Sequence, residues 1–138
     1  MPELRKPSEA RATLPHLAPL ASLGPGAAAG RRLLCRDCGA PVTDDGAAVP
    51  VAGSAVHHRT NPSGIAFTFG CFGAAPGARI AGEPTAEHTW FPGYAWSFAL
   101  CRGCGEQLGW HFRGRLPHFY GLILTRLRLE SSDPGPPM

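Results

Sequence analysis

Two short cysteine pairs carry the clearest chemistry in the chain. Cys35-Arg-Asp-Cys38-Gly and Cys101-Arg-Gly-Cys104-Gly are matched knuckles. Two-residue spacing lets both thiolates of a pair face one ion, and the glycine after the second cysteine permits a tight turn. Four thiolates suit tetrahedral Zn²⁺ and leave no open coordination position, so the expected ion is structural, one per chain. The 62 residues between Cys38 and Cys101 exceed a minimal zinc ribbon. The metal is therefore expected to staple the start of the domain to its far half. A tetrathiolate zinc is a dianion, and Arg36 and Arg102, one per knuckle, would partly offset it. A redox Cys-x-x-Cys would sit at a helix N-terminus in a βαβ setting, which the sequence does not offer. Cys71 is left over. It reads either as a small buried apolar residue or as a catalytic thiol, though no basic neighbour in sequence would lower its pKa.

The second concentration of chemistry is aromatic. All three tryptophans, Trp90, Trp96 and Trp110, lie within one segment around the second knuckle. Indoles are large enough that three together must bury one another or something else. Core and pocket both satisfy that demand. A Pro-Gly turn between Trp90 and Trp96 and the polar Glu87-His88 lead-in favour a pocket, which needs a few convergent polar groups. Three indoles can hold a cation through their ring quadrupoles or a flat neutral ring by stacking.

The elements that must position these groups read as β. The chain has 138 residues with 18 glycines and 15 prolines, which suits short strands joined by turns better than long helices. Ile65, Phe67, Phe69 and Cys71 alternate onto one face of a strand. Phe119 to Leu129 also alternates, with burial switching along its length. Ala47 to His58 supplies one or two strands, broken near Pro50 and Gly53. Phe91-Pro-Gly-Tyr94 predicts a type II turn. Trp96–Leu100 and Leu108–Phe112 are then strands flanking the second knuckle, and Pro76-Gly77 and Pro84 mark a long loop before His88.

Residues 1–31 are Pro-, Ala- and Gly-rich and are expected to form a disordered tail; 131–138 are expected to fray. The folded unit is 32–130. No apolar run spans a bilayer, the N-terminus lacks a signal-like core, and paired thiols suit a reducing compartment. A cytoplasmic location follows as the expectation. Thirteen basic against ten acidic residues give +3, too mild to imply nucleic acid by itself. A zinc-ribbon nucleic-acid binder would use Arg113, Arg115, Arg126 and Arg128, which otherwise read as a solvated sheet face. His57, His58, His111 and His118 lack ligand spacing with the cysteines and read as surface or rim residues.

The run Glu87-His88-x-Trp90-Phe-Pro-Gly-Tyr-Ala-Trp96, then Cys101-x-x-Cys104, then Gly109-Trp110-x-Phe112, resembles the thalidomide-binding (CULT) domain family of cereblon. Asn61-Pro62 and Phe119-Tyr-Gly-Leu122 extend the resemblance to about residues 33–129. It implies a β-tent fold: two antiparallel sheets meeting at an angle, pinned by a four-cysteine zinc. It implies that Trp90, Trp96 and Trp110 wall a pocket for cyclic imides such as glutarimide and thalidomide. His88 would offer its backbone carbonyl to the imide N–H and its ring N–H to one imide carbonyl, and the Trp90 backbone N–H would meet the other. Phe112 would close the pocket. Asn61, Pro62 and Phe67 would line the rim, and Glu87 would orient it. Uridine-like pyrimidines and C-terminal cyclic imides of proteins are further ligands the resemblance implies. The resemblance does not extend to a Lon-like domain or a ubiquitin-ligase adaptor region, so the expected likeness is to single-domain bacterial relatives. The expected role is binding rather than catalysis. The β-tent is shared with methionine sulfoxide reductase B, and that enzymatic alternative would need Cys71 as nucleophile. The stretch between Cys71 and His88, around Ala74–Arg79, departs from the family as a longer loop.

Overall fold

The computed structural model describes residues 30–130; apart from Gly30 and Arg31, the two expected tails lie outside the described residues. Nine strands follow in order: β1 (Arg32–Cys35), β2 (Pro41–Asp44), β3 (Val56–Thr60), β4 (Ala66–Phe72), β5 (Ala78–Thr85), β6 (Tyr94–Cys101), β7 (Gln107–Gly114), β8 (Phe119–Ile123) and β9 (Leu127–Leu129). Two short 3-10 turns, Asp45–Ala47 and Leu124–Arg126, are the only helical elements among the described residues. No helix there is long and apolar enough to cross a membrane. The strands form two sheets, β2-β1-β9 and β3-β4-β8-β7-β6-β5, with every pairing antiparallel. The mainly β reading with two antiparallel sheets is what the chain forms.

The larger sheet buries both faces. Successive side chains on a strand point to opposite sides, so β4 sends Phe67, Phe69 and Cys71 one way and Phe72 the other. Phe72, Leu108 and Leu122 join Leu33, Val42 and Leu127 of the smaller sheet in one core. Phe67, Phe69, Cys71, Trp96, Trp110, Phe112 and Phe119 form a second, aromatic cluster. Phe91, Trp90, Val49 and Val51, all from connecting segments, cover it. One core thus binds the sheets together, and the other builds the aromatic site.

The long alternating segment after Phe119 is two strands rather than one. β8 belongs to the larger sheet and β9 to the smaller, and the 3-10 turn carries the chain between them. This break is why burial switches along the segment. The expected loop before His88 is also corrected: residues 78–85 are β5, an edge strand paired to β6. Pro84 is tolerated because an edge strand needs fewer ladder donors, and the register shifts between Ala81 and Thr85. Of the Ala47–His58 stretch, only Val56–His58 joins a named strand, with isolated bridges at Ala48 and Val51. The turn after Phe91 forms as read: the Tyr94 N–H donates to the Phe91 carbonyl at 2.9 Å, and Gly93 has φ +92°.

Candidate functional site

Each knuckle is the hairpin turn of a different sheet. Cys35 ends β1 and Cys101 ends β6, so the four cysteines bridge the two sheets. The knuckles repeat one backbone pattern. The Gly39 N–H donates to the Cys35 carbonyl, and the Gly105 N–H to the Cys101 carbonyl, both at 2.8 Å. Gly39 and Gly105 hold φ of +81° and +82°, a conformation that glycine adopts without a Cβ clash. The Gly103 N–H also donates to Cys101 Sγ at 3.3 Å.

The four sulfurs all lie within 4.8 Å of one another. Cys35 Sγ is 3.8 Å from Cys104 Sγ, and Cys38 Sγ is 3.7 Å from Cys101 Sγ. Thiolates at ~2.3 Å from a tetrahedral centre stand about 3.8 Å apart, so this donor set fits one four-coordinate ion. Burial pushes the Cys35 thiol up to about 12, which makes a cation the natural means of holding it deprotonated. Arg36 and Arg102 also have structural partners. Arg36 Nε donates to the Thr125 carbonyl at 3.0 Å and Arg102 Nε to the Pro76 carbonyl at 3.0 Å. They clip each knuckle to its neighbouring loop. The residue that spans both knuckles is Arg126, 3.9 Å from Asp37 and 3.7 Å from Glu106. No spacing rule points to it, because it arrives from the 3-10 turn between β8 and β9. Those two ion pairs also commit one of the four arginines of the nucleic-acid alternative.

The aromatic cluster brings Trp90 edge-on to Trp110, with ring centroids 5.0 Å apart and planes at 84°. Trp110 is fully buried, Trp96 is 2% exposed, and Trp90 is half-buried. Phe67 meets Trp110 edge-on at 5.3 Å, and Phe69 stacks on Trp90 at 5.5 Å. Trp96 shares the cluster but pairs with Phe98, not with either indole, at 5.2 Å. Its position is fixed by register: Trp96 faces Phe112 and Phe98 faces Trp110 across β6 and β7, and such cross-strand pairs are the unit of sheet packing. Phe112 is buried against Phe119 at 5.0 Å and Phe91 at 5.0 Å.

Polar groups fix the lip. Trp96 Nε1 donates to the Glu87 carbonyl at 2.9 Å and Trp90 Nε1 to the Thr60 carbonyl at 3.2 Å. His88 is exposed and holds φ +59°. A non-glycine residue there is strained by roughly 1–2 kcal/mol, and such strain concentrates at functional positions. Glu87 is exposed, its carboxylate 3.9 Å from the His88 ring. Asn61 is buried, and its Oδ1 accepts from the Ser63 and Ile65 N–H groups at 2.9 Å each. It therefore shapes the turn that presents exposed Pro62. Phe67 is 3% exposed and lies against Trp110 and Trp90.

Two histidines read as surface residues are buried. His57 is 6% exposed; its Nε2 lies 2.9 Å from the Val51 carbonyl and 3.0 Å from that of Ser54, and its ring packs on Phe69 and Phe91. His111, also 6% exposed, lies on the opposite face of β7 from Trp110. Phe91 was not read as a site residue either, yet its ring meets Phe69, Phe112, Phe119 and His57. A bulky aromatic at the first position of a Pro-Gly turn was the available signal. Cys71 is fully buried within the aromatic cluster, and burial pushes its thiol up to about 12, with Arg59 opposing weakly. A thiolate nucleophile is not available in that setting.

No family model matches the chain. Curated relatives do match part of it. Protein cereblon of Gallus gallus is 58% identical over 33 residues, which cover 24% of this chain and 7% of that protein. Protein cereblon of Xenopus tropicalis is 42% identical over 62 residues, 41% of this chain and 13% of the relative. Protein cereblon of Danio rerio is 40% identical over 58 residues, 38% of this chain and 14% of the relative. The match thus spans a small part of each relative's length. Over those stretches the chain is similar to cereblon, and the two antiparallel sheets and the four clustered cysteines are consistent with a cereblon-type domain.

Proposed function

We propose that this domain is a zinc-stabilised binding module for cyclic imides, with Trp90, Trp96 and Trp110 as the cage. The observation that carries this reading is the lip. A strained His88 stands between Glu87, whose carbonyl is tied to Trp96, and Trp90, whose ring edges Trp110. The arrangement sets the backbone of His88 and Trp90 next in sequence to the residues that hold the apolar rings. A neutral imide is flat and carries an acceptor–donor–acceptor edge, which such a lip and cage satisfy without a charge. His88 would receive the imide N–H on its backbone carbonyl and offer its ring N–H to one oxygen, and the Trp90 backbone N–H would serve the other. Phe112 backs the cage, Phe67 supports Trp110 and Trp90, and Asn61 and Pro62 shape the rim.

Cys35, Cys38, Cys101 and Cys104 would hold the zinc, which supplies structural cross-linking and no catalysis. The module spans residues 32–130, binds rather than transforms its ligand, and works in the cytoplasm. Glutarimide and thalidomide are the probes of choice, with uracil-type rings and imide-ended peptides as related ligands. The test is a fluorescence titration of the zinc-loaded chain with glutarimide and thalidomide. Saturable quenching at micromolar concentration is the expected result. Trp90→Ala or Trp110→Ala should abolish it while zinc content stays at one per chain. Neither quenching nor displacement of a fluorescent imide would refute the reading.

A further inference from the structure

The three indole N–H groups of the cluster are not equivalent. Trp90 Nε1 donates to the Thr60 carbonyl at 3.2 Å, and Trp96 Nε1 donates to the Glu87 carbonyl at 2.9 Å. Trp110 Nε1 is buried and has no acceptor among the described residues. The rings packed around Trp110 are Phe67, Phe69 and Trp90, with centroids at 5.3, 5.7 and 5.0 Å. None of these side chains carries an acceptor atom. Buried donors without a partner are rare in folded proteins, and each asks for an explanation, which in a candidate ligand cage includes an acceptor on the ligand.

We propose that the Trp110 indole N–H is a specificity-determining donor of the cage, and that it takes a carbonyl oxygen of the bound cyclic imide. The proposal rests on the imide-binding reading of the cage and goes one step further. It decides between the two ligand kinds that three indoles can hold. A quaternary ammonium would gain from the ring faces but would leave the Trp110 donor unsatisfied. A hydrocarbon ring would do the same. A carbonyl-bearing neutral ring satisfies it, and a site built to hydrogen-bond a ligand atom rejects ligands that lack that atom. The carbonyl oxygen has two lone pairs, so it can accept from Trp110 and from a lip group together.

The test uses the zinc-loaded chain labelled with ¹⁵N-tryptophan, whose indole resonances are assigned by single Trp→Phe variants. Glutarimide is titrated, and fluorescence reports binding independently. The expected result is a downfield shift of the Trp110 indole proton while those of Trp90 and Trp96 hold their positions. Trp110→Phe, which keeps an aromatic ring but no donor, should weaken glutarimide by about tenfold, the value of one buried hydrogen bond. Tetramethylammonium, which accepts no hydrogen bond, should lose much less affinity than glutarimide on going to Trp110→Phe. Glutarimide binding with an unmoved Trp110 resonance overturns this inference and leaves the imide reading intact. A Trp110 proton already far downfield without glutarimide, and unchanged by it, also overturns it. Absence of glutarimide binding removes both. If Trp110→Phe does not fold, the resonance of the unsubstituted chain decides alone.

Discussion

Cys71 and His111 are titratable side chains placed where charge is unfavourable, and each yields a measurable consequence. Burial holds the Cys71 thiol near 12, so it stays protonated across the physiological range. Iodoacetamide at pH 8 should leave Cys71 unmodified in the folded chain, and Cys71→Ala should retain glutarimide binding; rapid alkylation of Cys71 under native conditions would contradict its buried, inert role. His111 packs edge-on to Tyr120 at 4.7 Å and to His118 at 5.6 Å. Burial first, then the charges of His118 and Arg113, lower its pKa from 6.5 to about 4. The unfolded chain therefore binds the proton first, and the stability associated with neutral His111 is full above about 6.5 and lost as pH falls toward 4. Thermal melts of the parent and His111→Gln should show the parent losing ground to the variant between pH 6.5 and 4.5. The comparison removes the acid sensitivity of the cysteines, which both forms share; parallel profiles would sink the argument. At this scale the cysteine ligands were legible because two-residue spacing is itself the geometry of a chelate. The tryptophans were legible as a group, but not which two would touch. That depends on the β6–β7 register and on a loop residue, Trp90, folding back onto Phe69. His57 and His111, expected at the surface or rim because they lack ligand spacing, are buried: spacing says nothing of burial, and the pleat of β3 and β7 turns both inward.

Strands decide which face each of those residues meets, and one close approach between strands is especially constrained. Gly109 of β7 pairs with Leu122 of β8. A Cβ at Gly109 would run into the Gly121 carbonyl and would lie 2.9 Å from the Leu122 Cα, both backbone atoms that cannot swing away. Gly109→Ala should therefore destabilise the fold by roughly 1–3 kcal/mol, the usual range for overpacking. It should also disturb the neighbouring Trp110. Gly73→Ala is the matched control, since its Cβ would meet Val49 Cγ1 at 3.4 Å and the Ala47 carbonyl oxygen at 3.9 Å, both tolerable distances. Chemical denaturation of both variants under zinc saturation gives the comparison, and equal midpoints would show that β7 and β8 can separate at little cost. Strands were readable where alternation was clean, as in β4, and where a turn and a knuckle framed them, as in β6 and β7. They were not readable in β5, where Pro84 and Gly82 carry loop signals although an edge strand tolerates both. Nor was the break between β8 and β9 visible, because a 3-10 turn of Leu124-Thr-Arg126 contains no glycine or proline to announce it.

At the scale of the molecule, the two candidate sites depend on each other in one direction only. The cysteine cluster joins a knuckle of the small sheet to a knuckle of the large one. The core between the sheets is modest; Leu33, Val42 and Leu127 face Phe72, Leu108 and Leu122. A core of that size would gain much of its stability from a metal held by the four cysteines. The aromatic cluster lies on the other face of the large sheet, with loops as its cover. Removing a cage ring therefore leaves both knuckles and the inter-sheet core in place. Removal of a bound metal would leave four thiolates repelling one another within 4.8 Å and should loosen β1, β2 and β9. It also frees β6 at Cys101, the strand that holds Trp96. Cys104→Ser, or chelation of the parent, should lower the melting temperature sharply and abolish imide binding together. Trp90→Ala should abolish imide binding while metal analysis still finds one zinc per chain and the melt falls less than it does on metal removal. A metal-free chain that keeps its β circular dichroism and still quenches with glutarimide would show that the sheets are held by packing alone, and that the cage needs no staple behind it.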